Sequence, residues 1–456
     1  MSFTSVNPTT NETLQTFETL SSSQLSERID LAHQAFGAWR LSSFAERAKR
    51  ILQFAALLRQ RSAELAQLIT REMGKRISES RYEIEYCAKI SEFYAHGAEK
   101  FLADEPLHVD GVKAYIHPSP LGVILGVMPW NFPFYQVVRF AAPNIMAGNT
   151  VLIKHASNVP QCAQEIERLF VECGLPDGVY SNLFIASPMV ENAIADSRVR
   201  GVSLTGSERA GAAVAEAAGK NIKRSVLELG GNDPFIVLED VEPEKIAELA
   251  VRGRTVNAGQ SCVASKRFIV VEAVFDRFLK AFKSKMSDLR MGDPADEQTT
   301  LGPLATEQAA QSLQEQVQSA IDAGATLVLG GKRPDRPGAF FSPTILADVT
   351  SQMPTFDTEL FGPVATVYRV KDELAAIALA NNSSYGLGAS VFTQDIERGR
   401  RVAEQIESGM VFLNQPTKSQ AELPFGGIKN SGYGRELSHL GIQEFVNKKL
   451  IYLGQH

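Results

Sequence analysis

The sequence predicts an α/β protein, two interleaved, doubly wound, mostly parallel sheets with a small β arm for oligomerisation. Three observations carry that expectation. Short apolar strands alternate with helices from about Gly122 to Leu238, a second alternation follows it, and a lone apolar strand, "NKKLIYLG", is left near the end. Alternation of this kind makes strands parallel, covers both faces with helices and leaves ligands at the carboxyl ends of the strands.

In chain order, the first hundred residues read as helices. "SSSQLSERIDLAHQAFGAWR" opens on a serine cap and repeats apolar residues at three- and four-residue spacing, and two longer segments of the same kind follow. "VKAYIHPSPLGVILGVMPW" reads as a hairpin and then a strand, because β-branched residues alternate with turn formers. The strands "TVLIKHA", "SNLFIA", "GVSLTGS", "SVLELGG" and "DPFIVLED" come next, separated by helices such as "VPQCAQEIERLFVECG" and "ERAGAAVAEAAGK". The second alternation includes "SKRFIVVEAV", "ATLVLGG", "FFSPTILADV", "PVATVYRV", "GLGASVFT" and "GMVFLNQ". The expected limits are one domain from 1–112 with 127–234, a second from 235–430, and the arm from 113–126 with 431–456. The final strand is expected to pair with the early hairpin or with another subunit, since an open edge is a liability.

Composition narrows the function. A chain of 456 residues buries a large core without staples. A formal charge of −6 carries no footprint for nucleic acid or an anionic membrane. No apolar run approaches the ~18 residues of a membrane span, and the N-terminus does not read as a secretory signal. A cytoplasmic enzyme is expected. The cysteines, Cys87, Cys162, Cys173 and Cys262, show no C-x-x-C spacing and the histidines are scattered, so neither a metal site nor a disulfide framework is expected. The first three sit in helical patterns and read as buried thiols.

Cys262 differs. It lies in "VNAGQSCVASKRF", among small and polar residues, where a thiolate and a backbone donor have room to act. Asn131, in "MPWNFPF", occupies a strand-to-helix turn, either as a turn former or as an amide aimed at an oxyanion. Glu228, in "SVLELGGNDP", is a carboxylate between apolar residues at a strand end. Either the backbone satisfies it, or burial raises its pKa and makes it a base. Lys154 ends a strand, as a surface lysine or as a donor to a nucleotide ribose. Gly206 and Ser207 open an alanine-rich helix whose N-terminus suits a pyrophosphate, although the glycine spacing is not that of a dinucleotide fingerprint.

As an ordered set, "PWNFP", "IKHAS", "SLTGSERAG", "LELGGNDP", "NAGQSCVASKR", "ELFGPV" and "PFGGIKNSGYGRE" resemble the aldehyde dehydrogenase superfamily over nearly the whole chain, most nearly its shorter bacterial succinate-semialdehyde dehydrogenases. The resemblance implies NAD(P)-dependent oxidation of an aldehyde to a carboxylate, with the first domain binding the dinucleotide and the second catalytic. It implies Cys262 as nucleophile, Asn131 as oxyanion donor and Glu228 as the base for hydrolytic water. It implies a cofactor held by Trp130, Lys154, Gly206, Ser207, Leu229, Glu359 and Phe361. Many NAD-preferring relatives carry glutamate where this chain has Ser157, so Ser157 with Lys154 is expected to admit the 2′-phosphate of NADP, with NAD use also open. Arg139 matches the position where succinate-semialdehyde dehydrogenases place an arginine for the substrate carboxylate, the alternative being an arginine that pairs with a structural acid. Ser419 lies in the loop that the family uses to line the entrance and is expected to add a donor, with Lys418 a competitor. A second arginine of some relatives is Val256 here, and a second cysteine of redox-switched relatives is Ala264. The expected partner is a small aldehyde with a distal carboxylate, in a homodimer or homotetramer. A broad-range or glutarate-semialdehyde enzyme, a cofactor-free thiol hydrolase and an inactive binding relative remain the alternatives.

Overall fold

The computed structural model describes residues 2–454, with no account of the Ser2 side chain. Its frame is two sheets. The first has six strands in the order Gly432–Tyr433, Arg224–Glu228, Val199–Thr205, Val123–Met128, Thr150–His155, Tyr180–Asn182, parallel except for the first. Strand order reverses beside Val123–Met128, so the crevice that such a reversal opens lies between it and Val199–Thr205. The second has seven strands, Thr326–Leu329, Thr344–Ala347, Val364–Val370, Arg267–Val271, Pro234–Val237, Gly388–Phe392 and Met410–Leu413, parallel except for the first.

The inner strands of both sheets are buried on both faces, which is why they read as continuous apolar runs. Phe235 and Val237 pack on one side of the second sheet with Phe268 and Val270, while Ile236 and Leu238 pack on the other with Ile269 and Val391. In the first sheet Val123 and Leu125 face one cluster and Ile124 and Met128 another. The "DPFIVLED" strand belongs to the second sheet rather than closing the first alternation.

A third sheet orders Val446–Leu453, Val112–Pro120 and Glu105–Val109 antiparallel, so the last strand does pair with the early hairpin. Its hairpin starts at Glu105, before the 113–126 segment read from sequence, while its last strand lies within 431–456. Val123–Met128, which 113–126 overlaps, lies inside the six-stranded sheet, and Gly432–Tyr433 pairs with Arg224–Glu228. The N-terminal segment also departs from the helical expectation. Ser2–Val6 and Thr13–Glu18 form a β-hairpin before the first helix, Ser22–Trp39. "NPTTNE" is its turn, and the strands are too short for alternation to stand out.

Phe235 is fully buried and stacks on Phe392 with ring centres 4.2 Å apart. We expect Phe235→Ala to destabilise the protein by about 3–5 kcal/mol, read as a lowered urea midpoint. A loss under about 1 kcal/mol would show that this contact is not central to the core.

Candidate active site

Cys262 follows a distorted turn. Asn257 and Ala258 both have positive φ, 52° and 54°, before Gly259 at 79°. A side chain at Gly259 would meet the Gly362 carbonyl oxygen at 2.2 Å, so the turn requires glycine there. An irregular buried loop leaves carbonyls without ladder partners, and those must find donors. Arg254, wholly buried, donates to the carbonyls of Gly259 at 2.6 Å and Ser265 at 2.9 Å. Lys266 donates to those of Ser261 at 3.0 Å and Cys262 at 2.7 Å. The Asn257 amide donates to the carbonyls of Asn131 at 2.7 Å and Gln260 at 3.1 Å.

Asn131 is thereby tied to the cysteine loop. Its own Nδ2 donates to the Gln260 carbonyl at 3.1 Å. The amide carries a second N–H, the one an oxyanion role requires. Its turn is clamped from below by Glu83, whose Oε1 accepts from the backbone N–H of Phe134 at 2.9 Å and Tyr135 at 3.0 Å, and which pairs with buried Lys75.

Glu228 ends its strand wholly buried, and neither carboxyl oxygen has a hydrogen-bond partner among the described residues. A side chain at Gly426 would come within 2.7 Å of Oε1, so that glycine leaves the room the carboxyl occupies. Burial pushes the Glu228 pKa well above the usual carboxylate range, neighbouring Glu436 adds to the rise, and Arg139 opposes it. Burial also pushes the Cys262 thiol up to about 12, against the pull of Arg139 and Lys266.

Cys262, Arg139, Lys418, Ser419 and Val256 line one cavity of about 150 Å³, walled by Tyr82, Tyr86, Phe132, Tyr135 and Phe425. Arg139 reaches it while heavily engaged. It ion-pairs through Nε with buried Glu436, donates from Nη1 to the Tyr135 hydroxyl at 3.1 Å and from Nη2 to Thr205 Oγ1 at 3.2 Å. Its guanidinium also lies over the Phe425 ring. A guanidinium has five N–H groups, so donors remain for a ligand beyond these three partners. Glu436 carries no role in the sequence reading. Its pairing with a residue about three hundred positions away leaves no local signal.

The remaining residues gather at strand ends around the crevice. Trp130 meets Phe361 edge-to-face at 5.8 Å, bridging the two halves of the chain. Lys154 closes its strand under the ring of Phe3, 5.9 Å away, and burial lowers its pKa. Ser157 is exposed in the turn beyond. Ser207 caps the helix Glu208–Lys220, accepting from the Ala210 N–H, with Gly206 just before it. Leu229 is buried against the position of Gly211. Glu359 accepts from the Gly231 N–H at 3.2 Å and pairs with Lys266 at 3.0 Å. A cation, a hydroxyl, a capped helix N-terminus and a carboxylate are the kinds of group that a ligand with phosphates and ribose hydroxyls requires.

The aldehyde dehydrogenase family model matches residues 1–451. The chain is 51% identical to the NADP(+) succinate-semialdehyde dehydrogenase of Deinococcus radiodurans, over 98% of this chain and 94% of that one. It is 46% identical to the probable succinate-semialdehyde dehydrogenase, NADP(+), of Synechocystis sp., over 99% and 100% of the two chains. The structure superposes with a TM-score of 0.98 on the succinic semialdehyde dehydrogenase of Streptococcus pyogenes in complex with NADP+, at 44% identity, over 99% of this chain and 100% of that one.

The Glu228 pKa has a consequence for stability. The folded state binds that proton more tightly than the unfolded chain, whose glutamate titrates near about 4.3. Any stability tied to it is full below that value and is lost as pH rises toward the folded value. Glu228→Gln escapes the loss. Its Tm should therefore gain on the native protein's between pH 5.5 and 8.5, and a Tm gap constant across that range would refute the raised pKa.

Proposed function

Because the chain belongs to the aldehyde dehydrogenase family, we propose that it oxidises succinate semialdehyde to succinate with NADP+. The observation that carries this reading is the cavity itself, which sets Cys262 among Arg139, Lys418 and Ser419, a nucleophile beside donors for a distal carboxylate. The relatives named above support the substrate and the cofactor.

The Cys262 thiolate adds to the aldehyde carbon, and the charge that moves onto oxygen is met by the Asn131 amide and the Cys262 backbone N–H. NADP+, when bound, supplies the acceptor for the aldehyde's hydride. Trp130, Lys154, Ser157, Gly206, Ser207, Leu229, Glu359 and Phe361 hold it in this reading, and their donor set fits it. Lys154 and Ser157 take the 2′-phosphate, Ser207 the pyrophosphate and Glu359 a ribose. Water then cleaves the Cys262 thioester after giving a proton to Glu228, whose raised affinity for protons suits it to that task. Arg139 and Ser419 hold the substrate's carboxylate, and Val256 leaves that anchor without a second arginine.

We also infer a cytoplasmic homodimer or homotetramer. Four free cysteines fit a reducing compartment. The edge strand Val446–Leu453 exposes Leu450, Tyr452 and Leu453, which fits an interface.

Three measurements test this reading. Aldehyde-dependent reduction of NADP+ should be present in the native protein and absent in Cys262→Ala, while Asn131→Ala should lower kcat by about 10²–10³. No reduction with any aldehyde would end the dehydrogenase reading. Arg139→Ala should reduce the kcat/KM ratio of succinate semialdehyde to propanal at least about tenfold; an unchanged ratio would remove its carboxylate role, and the ratio cancels general damage from unpairing Glu436. Ser157→Glu, in an exposed turn, should shift kcat/KM toward NAD by more than about tenfold if the 2′-phosphate lies there.

A further inference from the structure

We propose that Lys266 is a positioning residue for the nucleophile, its buried ammonium fixing the Cys262 carbonyl and Glu359 to each other and its charge favouring the Cys262 thiolate. The proposal rests on reading Cys262 as the nucleophile.

The geometry is specific. Lys266 is 2% exposed, and burying an ammonium is expensive unless every direction around it is answered. Here two carbonyls and one carboxylate answer it: Ser261 at 3.0 Å, Cys262 at 2.7 Å and Glu359 Oε1 at 3.0 Å. The same Glu359 oxygen accepts the Gly231 N–H. A side chain at Gly231 would meet the Cys262 carbonyl at 2.7 Å. The lysine, the glycine-lined turn after Glu228 and Glu359 therefore close on the one carbonyl that belongs to the nucleophile. The backbone of Lys266 is equally fixed, its N–H donating to the Asp233 carbonyl at 3.0 Å and its carbonyl accepting from the Thr366 N–H at 3.0 Å. A lysine held at both ends has little freedom to leave.

Charged and titratable groups line the cavity with Cys262 from three elements. Arg139 and Tyr135 come from the helix Tyr135–Ala147, Glu83, Tyr82 and Tyr86 from the helix Ile77–Phe101, and Lys418 from the 417–419 loop. Asp233 and Glu359 lie behind the cysteine loop and disfavour the thiolate, while Arg139 and Lys266 favour it. Arg139 is the stronger of the two and is paired with Glu436, as Lys266 is with Glu359. Lys266 is the cation fixed to the backbone of Cys262 itself, and its neutralising partner is Glu359. Removing the lysine's charge weakens the thiolate. Removing the carboxylate's charge strengthens it.

The test is alkylation of Cys262 by iodoacetamide without cofactor or aldehyde, followed by peptide mass spectrometry. The other three cysteines are fully buried, which keeps the reading on Cys262. Thiolate is the reacting form, so the rate at each pH between 7 and 10 tracks thiol ionisation. Lys266→Gln, which keeps a donor for the carbonyls but no charge, and Lys266→Met should each react about tenfold more slowly than the native protein. Lys266→Arg should recover most of the native rate, and Glu359→Gln should react several-fold faster. A native rate in Lys266→Gln would overturn the proposal, and so would slower reaction in Glu359→Gln. If Lys266→Met does not fold, Lys266→Gln and Glu359→Gln still decide the matter. Failure of the dehydrogenase reading would appear separately, as no NADP+ reduction by the native protein.

Discussion

The site depends on one constraint: a kinked, buried loop must present a thiol while its own carbonyls are kept satisfied. Val256 to Ser265 lies between a helix and a strand and pairs its own backbone only in a short 3-10 turn, Val256–Gly259, and in a turn closed by the Ala264 N–H on the Ser261 carbonyl. An unpaired buried carbonyl costs on the order of 1–3 kcal/mol, so the loop is stable only with donors brought to it. Those donors are long, charged side chains, Arg254 and Lys266, one at each end of the loop, together with Asn257 inside it. Removing any of them leaves carbonyls unanswered and frees the segment that aims the cysteine.

That solution puts charge where charge is expensive, and the rest of the site responds. Lys266 is balanced by Glu359, and Arg139 by Glu436. Glu228 is the acid left over. It is buried near Glu436, whose charge raises its proton affinity further, and among the described residues neither carboxyl oxygen receives a hydrogen bond. A group so placed holds its proton tightly and is strongly basic once it loses it. The same arrangement makes Asp233 titrate high, at about 6, because burial outweighs the nearby Lys266. Acids raised and cations paired are two faces of one low-dielectric pocket.

This explains how much was legible in the sequence. The strands and most helices of both sheets could be read because their apolar runs obey local periodicity. The residues proposed for catalysis stood out as polar groups at strand ends and as a cysteine outside any helical face. What escaped was pairing. Glu436 meets Arg139, Lys266 meets Glu359, and Phe3 covers Lys154, each across a long stretch of chain that leaves no local pattern. The N-terminal hairpin escaped for a different reason, since its short strands alternate too briefly to outweigh the helices after it.

Pairing also bears on selectivity. An arginine that binds a free carboxylate should be least satisfied by the protein, yet Arg139 is fully buried, ion-paired and stacked. Those contacts fix the plane of its guanidinium. The N–H groups left over then point in set directions, and a fixed fork loses little entropy when a carboxylate docks. The same pairing with Glu436 lowers its net charge toward the cavity, so in the role proposed for it geometry counts for more than long-range attraction. In the function proposed above, with Val256 contributing only apolar surface to the same cavity, selectivity rests on the reach from Cys262 to that one fixed fork, and so on the distance between aldehyde and carboxylate.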